Sequence, residues 1–262
     1  MAKICSLASS SSGNSTYISG GNTAILVDAG ISCRGIMQTI KQNELDIDIL
    51  KGILITHEHI DHIKGLDVLL KKLDIPIYAG KKVLGYIQKN CNLPAGTILI
   101  EADKKGFNLG EFFIKPFEIP HDSLQCLGYR IALPDNTEIG YATDLGEFTD
   151  GAFNGLKGCH AVVIESNYDE DLLDFGPYPF YIKQRVRSTN GHLSNTDCAA
   201  ASMTLAKNGT VRFMLAHLSE KNNMPLLAQQ TTATKLSAAG MRENCDFTVD
   251  VAPKCGGRML VF

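Results

Sequence analysis

The chain has 262 residues, of which 44% are hydrophobic and 20% are charged, and its formal net charge is −3. This apolar content can fill one large domain or two similar halves, and the negative charge excludes binding of nucleic acid by bulk charge alone. The apolar runs are short and interrupted by charge, and MAKICSLASS lacks the apolar stretch of a secretion signal. We therefore expect a cytoplasmic protein whose eight cysteines are free thiols.

Strands and helices alternate in the first third of the chain. The turn-rich stretch SSSSGNS separates the first two strands, and Ile36, Met37 and Ile40 share one face of the first helix. The predicted strands are Lys3–Leu7, Thr23–Val27, Gly52–Thr56 and Pro76–Ala79, and the predicted helices are Ser32–Asn43, Gly65–Leu73 and Lys81–Gln88.

The middle of the chain is a run of strands, and alternation returns in the last third. The predicted middle strands are Thr97–Glu101, Gly106–Leu109, Glu111–Pro116, Gln125–Leu133 and Glu138–Ala142. After them we expect strands Ala161–Glu165, Val211–Ala216, Phe247–Val251 and Met259–Phe262, with helices Asn195–Lys207 and Pro225–Ala239. Two mixed sheets, each covered by helices on its outer face, fit this order better than one parallel sheet. Since no repeat or linker is evident, we expect one domain over residues 1–262.

The segment THEHIDH, residues 56–62, concentrates four ligand-type side chains: His57, His59, Asp61 and His62. Imidazole and carboxylate groups are ligands of zinc, manganese and iron. The segment follows a buried strand and precedes a helix, which places it on a loop at a sheet edge, where active sites commonly lie. The alternative is a solvated polar loop.

Three further ligand-type residues each follow a predicted strand. They are His121 in IPHD, Asp144 in YATD and His217 in MLAH. Each alone could be a core or capping residue, but together they complete the ligand sets of two metal ions. His160, beside Cys159, has no place in this scheme, and we expect it to be structural.

These motifs, with Asp28 in LVDAG, resemble the five ordered motifs of the metallo-β-lactamase fold superfamily. The resemblance covers residues 28 to 217 and implies an α/β fold, a four-layer αβ/βα sandwich with metals at the edge between the sheets. It implies one metal on His57, His59 and His121, and another on Asp61, His62 and His217. Asp144 would bridge the two ions, and Asp28 would orient the histidine loop.

The flanking segments resemble a narrower group. LASSSSGNSTYI, GHLSN at residues 191–195 and LAHLSEKNN at 215–223 are similar to the bacterial WalJ (YycJ-like) group of 5′-to-3′ DNA exonucleases. GHLSN also resembles a loop of ribonuclease Z, and there a histidine and a glutamate assist the leaving group. The matching residues are His192 and Glu165. The chain shows neither a tRNA-clamping arm nor the inserted domain of the nucleases related to RNase J, which argues against their substrates.

The resulting mechanism has Asp61 orienting the nucleophile and His192, paired with Glu165, protonating the leaving oxygen. His192 could instead serve only the cap of the following helix, where Ser194 is a plausible N-cap. We expect Ser12, Gly13 and Asn14 to cradle a phosphate, unless they form a simple hairpin turn. Arg185 and Arg187, among Tyr178, Phe180 and Tyr181, indicate a single-strand channel, with an amphipathic surface helix as the alternative.

The sequence thus favours a dinuclear metal-dependent phosphodiesterase, a 5′-to-3′ exonuclease on DNA, that uses two zinc or manganese ions, with iron as a further candidate. A small-molecule hydrolase of a thioester, lactone or cyclic phosphate is the alternative, and the acidic net charge favours it. A binding protein with a decayed site would have lost one of His57, His59, Asp144 or His217, and all four are present.

Overall fold

The computed structural model describes residues 1–262 and contains fourteen strands and nine helices. The strands are β1 (Lys3–Ala8), β2 (Ser15–Gly20), β3 (Thr23–Val27), β4 (Leu50–Leu54), β5 (Ile77–Ala79), β6 (Leu99–Glu101), β7 (Phe107–Leu109), β8 (Phe112–Glu118), β9 (Leu127–Ala132), β10 (Glu138–Ala142), β11 (Ala161–Glu165), β12 (Arg212–Ala216), β13 (Thr248–Val251) and β14 (Arg258–Val261). The helices are α1 (Cys33–Gln42), α2 (Ile60–Ile63), α3 (Leu66–Leu69), α4 (Lys81–Asn90), α5 (Asp150–Leu156), α6 (Glu170–Phe175), α7 (Phe180–Val186), α8 (Asn195–Ala206) and α9 (Pro225–Ala238).

The strands form two mixed sheets of seven strands each. The first sheet has the order β14-β1-β2-β3-β4-β5-β6, and the second has the order β13-β12-β11-β10-β9-β8-β7. In the first sheet, β1 to β3 are antiparallel and β3 to β6 parallel. In the second, β7 to β10 are antiparallel and β10 to β13 parallel. The carboxyl ends of β10, β11 and β12 therefore share one edge of the second sheet.

Three hydrophobic cores separate four layers. The central core joins the inner faces of the sheets through side chains such as Ile25, Ile131 and Met214. A second core lies between the first sheet and helices α1, α3 and α4, and a third lies between the second sheet and helices α5, α8 and α9. The predicted four-layer sandwich with two mixed sheets is confirmed.

Strand β11 shows why the parallel strands are continuously apolar in sequence. Ala161 and Val163 belong to the central core, whereas Val162 and Ile164 belong to the core beneath the helices. Successive side chains of a strand point to opposite faces, so a strand buried on both faces carries apolar residues throughout. The first polar side chain of β11, Glu165, comes at its carboxyl end, and it is fully buried.

Several predicted elements differ from the structure. The stretch after β1 is not only a turn, because Ser15–Gly20 forms β2 between β1 and β3. The predicted helix Gly65–Leu73 was too long, since α3 covers only Leu66–Leu69. Helices α5 and α6 were not predicted, and residues 180–186 form α7. The small polar residues of β2 and the shortness of these helices leave weak periodic patterns.

The longest helix, α9, has 14 residues, and no helix of the structure is both long and apolar enough to cross a membrane. All eight cysteines are unpaired.

Candidate metal centre

The ligand-type residues converge at one edge of the sandwich because each follows the carboxyl end of a strand. Asp28 follows β3, Asp144 follows β10 and His217 follows β12. All three adopt a left-handed backbone, with φ of 63°, 59° and 57°. Non-glycine residues in this region are uncommon and cluster where function requires a particular side-chain direction. The chain thus bends sharply at each strand end and turns these side chains into the site.

The first ligand group consists of His57, His59 and His121. Its ring centroids lie 4.5 to 5.2 Å apart, and its potential ligand nitrogens are all within 4.8 Å of one another. The Nε2 atoms of His57 and His121 are buried and have no hydrogen-bond partner. An unpaired buried nitrogen is costly unless another group binds it.

The second group consists of Asp61, His62 and His217. Asp61 Oδ2 lies 3.4 Å from His62 Nε2 and 3.6 Å from His217 Nε2. The sequence predicts a loop for the whole histidine cluster, whereas Asp61 and His62 lie within the short helix α2. The turn of this helix directs both side chains toward the strand end that carries His217.

Asp144 lies between the two groups. Its Oδ1 is 3.7 Å from His121 Nε2 and its Oδ2 is 3.2 Å from His62 Nε2. Burial alone would raise the pKa of Asp144, but the imidazoles of His217 and His62 outweigh burial and hold this pKa well below its usual range. A buried ionised carboxylate in contact with both groups has the position required of a bridging ligand.

The Nδ1 atom of each buried histidine is held by an oxygen atom. His62 Nδ1 lies 2.8 Å from Asp28 Oδ2, and His217 Nδ1 lies 2.8 Å from Glu165 Oε1. His57 Nδ1 is 3.0 Å from the hydroxyl of Thr56, and His121 Nδ1 is 3.1 Å from the carbonyl oxygen of Gly191. Such partners keep the proton on Nδ1 and turn the Nε2 lone pair toward a cation.

The carboxylates give the site a strongly negative field. Burial opposes the charged form of His217, but Asp144, Asp61 and Glu165 outweigh burial and raise its pKa to about 10. His62 behaves likewise, because Asp28 and Asp144 overcome the effect of burial and raise its pKa well above the usual value. A site that favours protonated imidazoles this strongly also favours metal cations.

These residues therefore fit two divalent ions. The donor set is imidazole and carboxylate, as zinc, manganese and iron accept. The Nε2 atoms of His57, His121 and His217 are buried in these groups and have no hydrogen-bond partner. We call the seven residues His57, His59, Asp61, His62, His121, Asp144 and His217 the metal centre.

His192 and Glu165 border the metal centre as a pair. His192 Nδ1 lies 2.9 Å from Glu165 Oε1 and 3.8 Å from Asp144 Oδ1. The amides of Leu145 and Leu193 donate to the other oxygen of Glu165, at 2.8 and 3.1 Å. Burial opposes charging of His192, yet Glu165 outweighs burial and raises the pKa of His192. The imidazole is 19% exposed, so a substrate can reach it.

Gly30 allows the first sheet to approach the metal centre. A Cβ at residue 30 would lie 1.5 Å from the carbonyl oxygen of Asp61. In the same contact the amide of Asn14 donates to the Asp61 carbonyl at 2.8 Å, and the amide of Gly30 donates to the Asn14 carbonyl at 2.7 Å. Only glycine fits at this close backbone approach.

The segment Ser12–Asn14 lies next to this contact. The Asn14 side-chain nitrogen is 3.2 Å from Asp61 Oδ2 and 3.1 Å from His62 Nε2, so Asn14 is buried against two residues of the metal centre. Gly13 is packed against Ile31, with no room for a side chain. Ser12 is exposed, and its hydroxyl donates to Glu220 at 2.6 Å.

Arg185 and Arg187 differ in their contacts with the metal centre. Arg185 on α7 pairs with Asp122, which is itself 3.4 Å from His121 Nε2. Arg187 pairs with Asp174 at 2.6 Å and contacts no residue of the metal centre. The aromatic residues of this stretch are exposed, with Phe180 at 74% and Tyr181 at 68%.

Sequence reasoning missed several residues that support the metal centre. Thr56, the first residue of the THEHIDH segment, was given no role from sequence, yet it contacts Asp28, His57 and His62. Asn167, Asn195 and Asn223 form a buried amide cluster behind His217. Asp122 adjoins His121 in IPHD. Thr56 and Asp122 adjoin predicted ligands, and that adjacency was the available signal, whereas the amide cluster joins segments distant in sequence and has no local signal. The expected structural position of His160 is consistent with its Nδ1, which accepts the Glu138 amide at 3.1 Å.

Comparison with known proteins decides the family. Residues 23–218 match the family described as the beta-lactamase superfamily domain. The chain belongs to the beta-lactamase superfamily. All seven residues of the metal centre lie within this matched range, and the family resemblance inferred from sequence is confirmed.

Two relatives span nearly the whole of this superfamily member. Exodeoxyribonuclease YycJ of Bacillus anthracis is 37% identical over 252 residues, which cover 95% of this chain and 94% of that protein. Exodeoxyribonuclease WalJ of Streptococcus pneumoniae is 34% identical over 256 residues, covering 96% and 94%. Among solved structures, the metallo-beta-lactamase fold protein YhfI from Bacillus subtilis superposes with a TM-score of 0.74 at 16% identity, covering 98% of this chain and 99% of that one. At this identity, the similarity to YhfI shows a shared fold only.

Proposed function

We propose that this protein is a dinuclear metal-dependent phosphodiesterase that removes nucleotides from the 5′ end of DNA. The observation that carries the proposal is the complete metal centre with the His192–Glu165 pair beside it. Relatives named exodeoxyribonucleases, at 34 and 37% identity over nearly the full length, support the choice of substrate. We propose that residues 1–262 act as one domain, and the eight unpaired thiols suit a reducing cytoplasm.

In this proposal His57, His59 and His121 hold one ion, and Asp61, His62 and His217 hold the other, with Asp144 between them. Zinc or manganese fits this donor set, and iron is a third candidate. When bound, such ions supply a nucleophile at neutral pH and neutralise charge on the phosphate. The oxygen atoms that hold Nδ1 keep the imidazoles oriented, so the ligands need not reorganise during the reaction.

The chain's own residues handle the protons. Asp61, which lies between His62 and His217 with its side chain 18% exposed, orients the attacking water and accepts its proton. His192 is held by Glu165 with its Nδ1 in a hydrogen bond, which leaves Nε2 to donate a proton to the departing oxygen. Burial lowers the pKa of His192, but Glu165 outweighs burial and raises this pKa, which favours the protonated imidazole that proton donation requires.

Substrate binding is local, as the net charge of −3 requires. We propose that Ser12, Gly13 and Asn14 face a phosphate of the strand beside Asp61. Arg185 and Arg187 bind phosphates further along the strand, and exposed Phe180 and Tyr181 stack on bases. Cations and aromatic rings on one segment are the combination that single-stranded nucleic acid requires.

A small-molecule hydrolase is the second candidate. Both arginines are already paired with carboxylates, and the net charge is negative, which favours a substrate smaller than a polymer. Hydrolysis of a thioester, a lactone or a cyclic phosphate would require the metal centre but no strand-binding surface on α7.

Digestion of end-labelled DNA and RNA separates these candidates. The protein is loaded with Mn²⁺ or Zn²⁺ and given single- and double-stranded substrates labelled at either end, beside a His59→Ala control. We expect stepwise release from the 5′ end of DNA, absent in the control. Intact polymers, together with cleavage of thioester or cyclic phosphate substrates, would establish the second candidate instead. Preference for RNA would correct the sugar specificity alone.

A further inference from the structure

Asp122 has no role in the proposed chemistry, yet it joins the metal centre to the basic helix. One carboxylate oxygen, Oδ1, lies 3.4 Å from His121 Nε2. The other, Oδ2, accepts a hydrogen bond from Arg185 Nε on α7. The carboxylate is 31% exposed and the guanidinium 58% exposed. Asp122 therefore lies at the mouth of the site, with the metal centre on one side and a cation on the other.

Helix α7 depends on such surface contacts for its position. None of its residues is buried. Beyond Arg185, Lys183 Nζ donates to the carbonyl oxygen of Asp174 at 2.7 Å, and the amide of His192 donates to the carbonyl of Val186 at 2.9 Å. The end of α7 thus leads directly into the loop that carries His192, and the Asp122–Arg185 pair is its side-chain contact beside His121.

A partly exposed ion pair contributes little to folding stability. A guanidinium has five N–H donors, and the bond to Asp122 occupies its Nε. The remaining donors match the paired oxygens of a phosphate. A carboxylate placed beside the metal centre would repel a polyanion unless it served to direct a cation.

We propose that Asp122 is a positioning residue that directs Arg185 toward the phosphate adjacent to the scissile linkage of the DNA strand. This inference rests on the proposed function. It makes Arg185 responsible for recognising a strand longer than one linkage, since a substrate with a single phosphodiester offers that guanidinium nothing to bind. Arg187, paired with Asp174, contacts nothing in the metal centre and is not part of this arrangement.

The test measures release of the first nucleotide from a 5′-phosphorylated single-stranded oligodeoxynucleotide by the Mn²⁺-loaded protein. A second oligonucleotide carries one uncharged methylphosphonate at the linkage next to the scissile one. Bis(p-nitrophenyl) phosphate serves as a substrate with a single phosphodiester. The variants are Arg185→Gln and Asp122→Asn, and the control is Glu118→Gln, which removes one charge from an exposed pair with Lys104 that includes none of these residues.

We expect Arg185→Gln to raise KM for the oligonucleotide about tenfold or more, with kcat nearly unchanged. The dependence of log(kcat/KM) on log salt becomes shallower by about 0.7, as loss of one phosphate contact requires. Asp122→Asn gives the same changes in smaller measure. The methylphosphonate lowers kcat/KM for the wild type and for Glu118→Gln. It causes no further loss in Arg185→Gln, because the contact is already absent, and a smaller loss than in the wild type in Asp122→Asn, which keeps part of the contact. For both variants the loss of kcat/KM is much smaller on bis(p-nitrophenyl) phosphate than on the oligonucleotide, because that substrate has no second phosphate for Arg185, and Glu118→Gln keeps the wild-type rate on both substrates.

Opposite results separate the two proposals. If the wild type cleaves DNA and the methylphosphonate costs the variants as much as it costs the wild type, Asp122 and Arg185 do not serve that phosphate and this inference falls alone. A lower KM in Asp122→Asn would mean that the carboxylate withholds Arg185 from the strand, and it too overturns the inference. If the wild type cleaves bis(p-nitrophenyl) phosphate but no oligonucleotide, both proposals fall.

Discussion

The metal centre and helix α7 are neighbours built in opposite ways. His57 and His62 are fully buried and Asp144 is 2% exposed, whereas α7 has no buried residue. The ligands follow strands of the two sheets, and the Nδ1 atoms of His57, His62, His121 and His217 are each held by an oxygen atom. Helix α7 is held by ion pairs and backbone contacts at the surface. In the proposed function, the cores of the fold therefore set the reaction geometry, and surface contacts that can change without disturbing this geometry set substrate recognition.

The largest effect should follow from Asp144→Ala. This carboxylate contacts both ligand groups, so its loss should lower kcat by more than about 10³-fold, as occurs when groups that act as a unit are broken. Steady-state cleavage of bis(p-nitrophenyl) phosphate provides the measurement, and Glu118→Gln is the control. Activity within tenfold of the wild type would show that Asp144 does not link the groups.

His192→Ala tests the border between the two regions. If His192 donates a proton to the leaving oxygen, cleavage of DNA should fall by about 10²–10⁴-fold. The p-nitrophenolate of bis(p-nitrophenyl) phosphate departs without a proton, so its release should fall only a few-fold by the same reasoning. Equal losses on both substrates would indicate that His192 supports the metal centre through Glu165 instead.

Gly30→Ala tests how tightly the metal centre is fixed to the fold. Its Cβ would meet the Asp61 carbonyl at 1.5 Å, and overpacking of this kind costs about 1–3 kcal/mol or more. At about 2–4 °C per kcal/mol we expect a clear fall in Tm by calorimetry. Gly85→Ala is the matched control. Its Cβ, within α4, meets nothing within 4 Å, so we expect stabilisation of roughly 0.5–1 kcal/mol. Similar Tm values for both variants would contradict the close approach.

Phe180→Ala should have the smallest effect and change recognition alone. Base stacking on an aromatic side chain is worth about 1–3 kcal/mol, so KM for single-stranded DNA should rise roughly 5- to 150-fold. Because the ring is 74% exposed, Tm should stay at the wild-type value. An unchanged KM would remove Phe180 from the substrate path.

The sequence predicted the buried region better than the surface region. The THEHIDH spacing and the strand-end positions of His121, Asp144 and His217 follow from periodicity and ligand chemistry, and the structure brings them together. The Ser194 N-cap of α8 was also predicted, and its side chain accepts the amide of Asp197. Helix α7 could be inferred only as one of two alternatives, because its residues pack against no core that would impose a period.

Contacts between distant segments lay beyond sequence reasoning. The Asn14 contact with Asp61 and the Asp122 contact with Arg185 join residues 47 and 63 positions apart. No local pattern encodes such pairs, because they depend on how separate loops meet at the sheet edge.

Native mass spectrometry of the metal-loaded protein tests the central claim most directly, since it counts ions on the folded chain. The account predicts two divalent ions on the wild type and one on His59→Ala, which lacks a ligand of the first group only. His217→Ala, which lacks a ligand of the second group only, should also retain one. A wild type that binds a single ion, or variants that keep two, would contradict a dinuclear centre built from these residues.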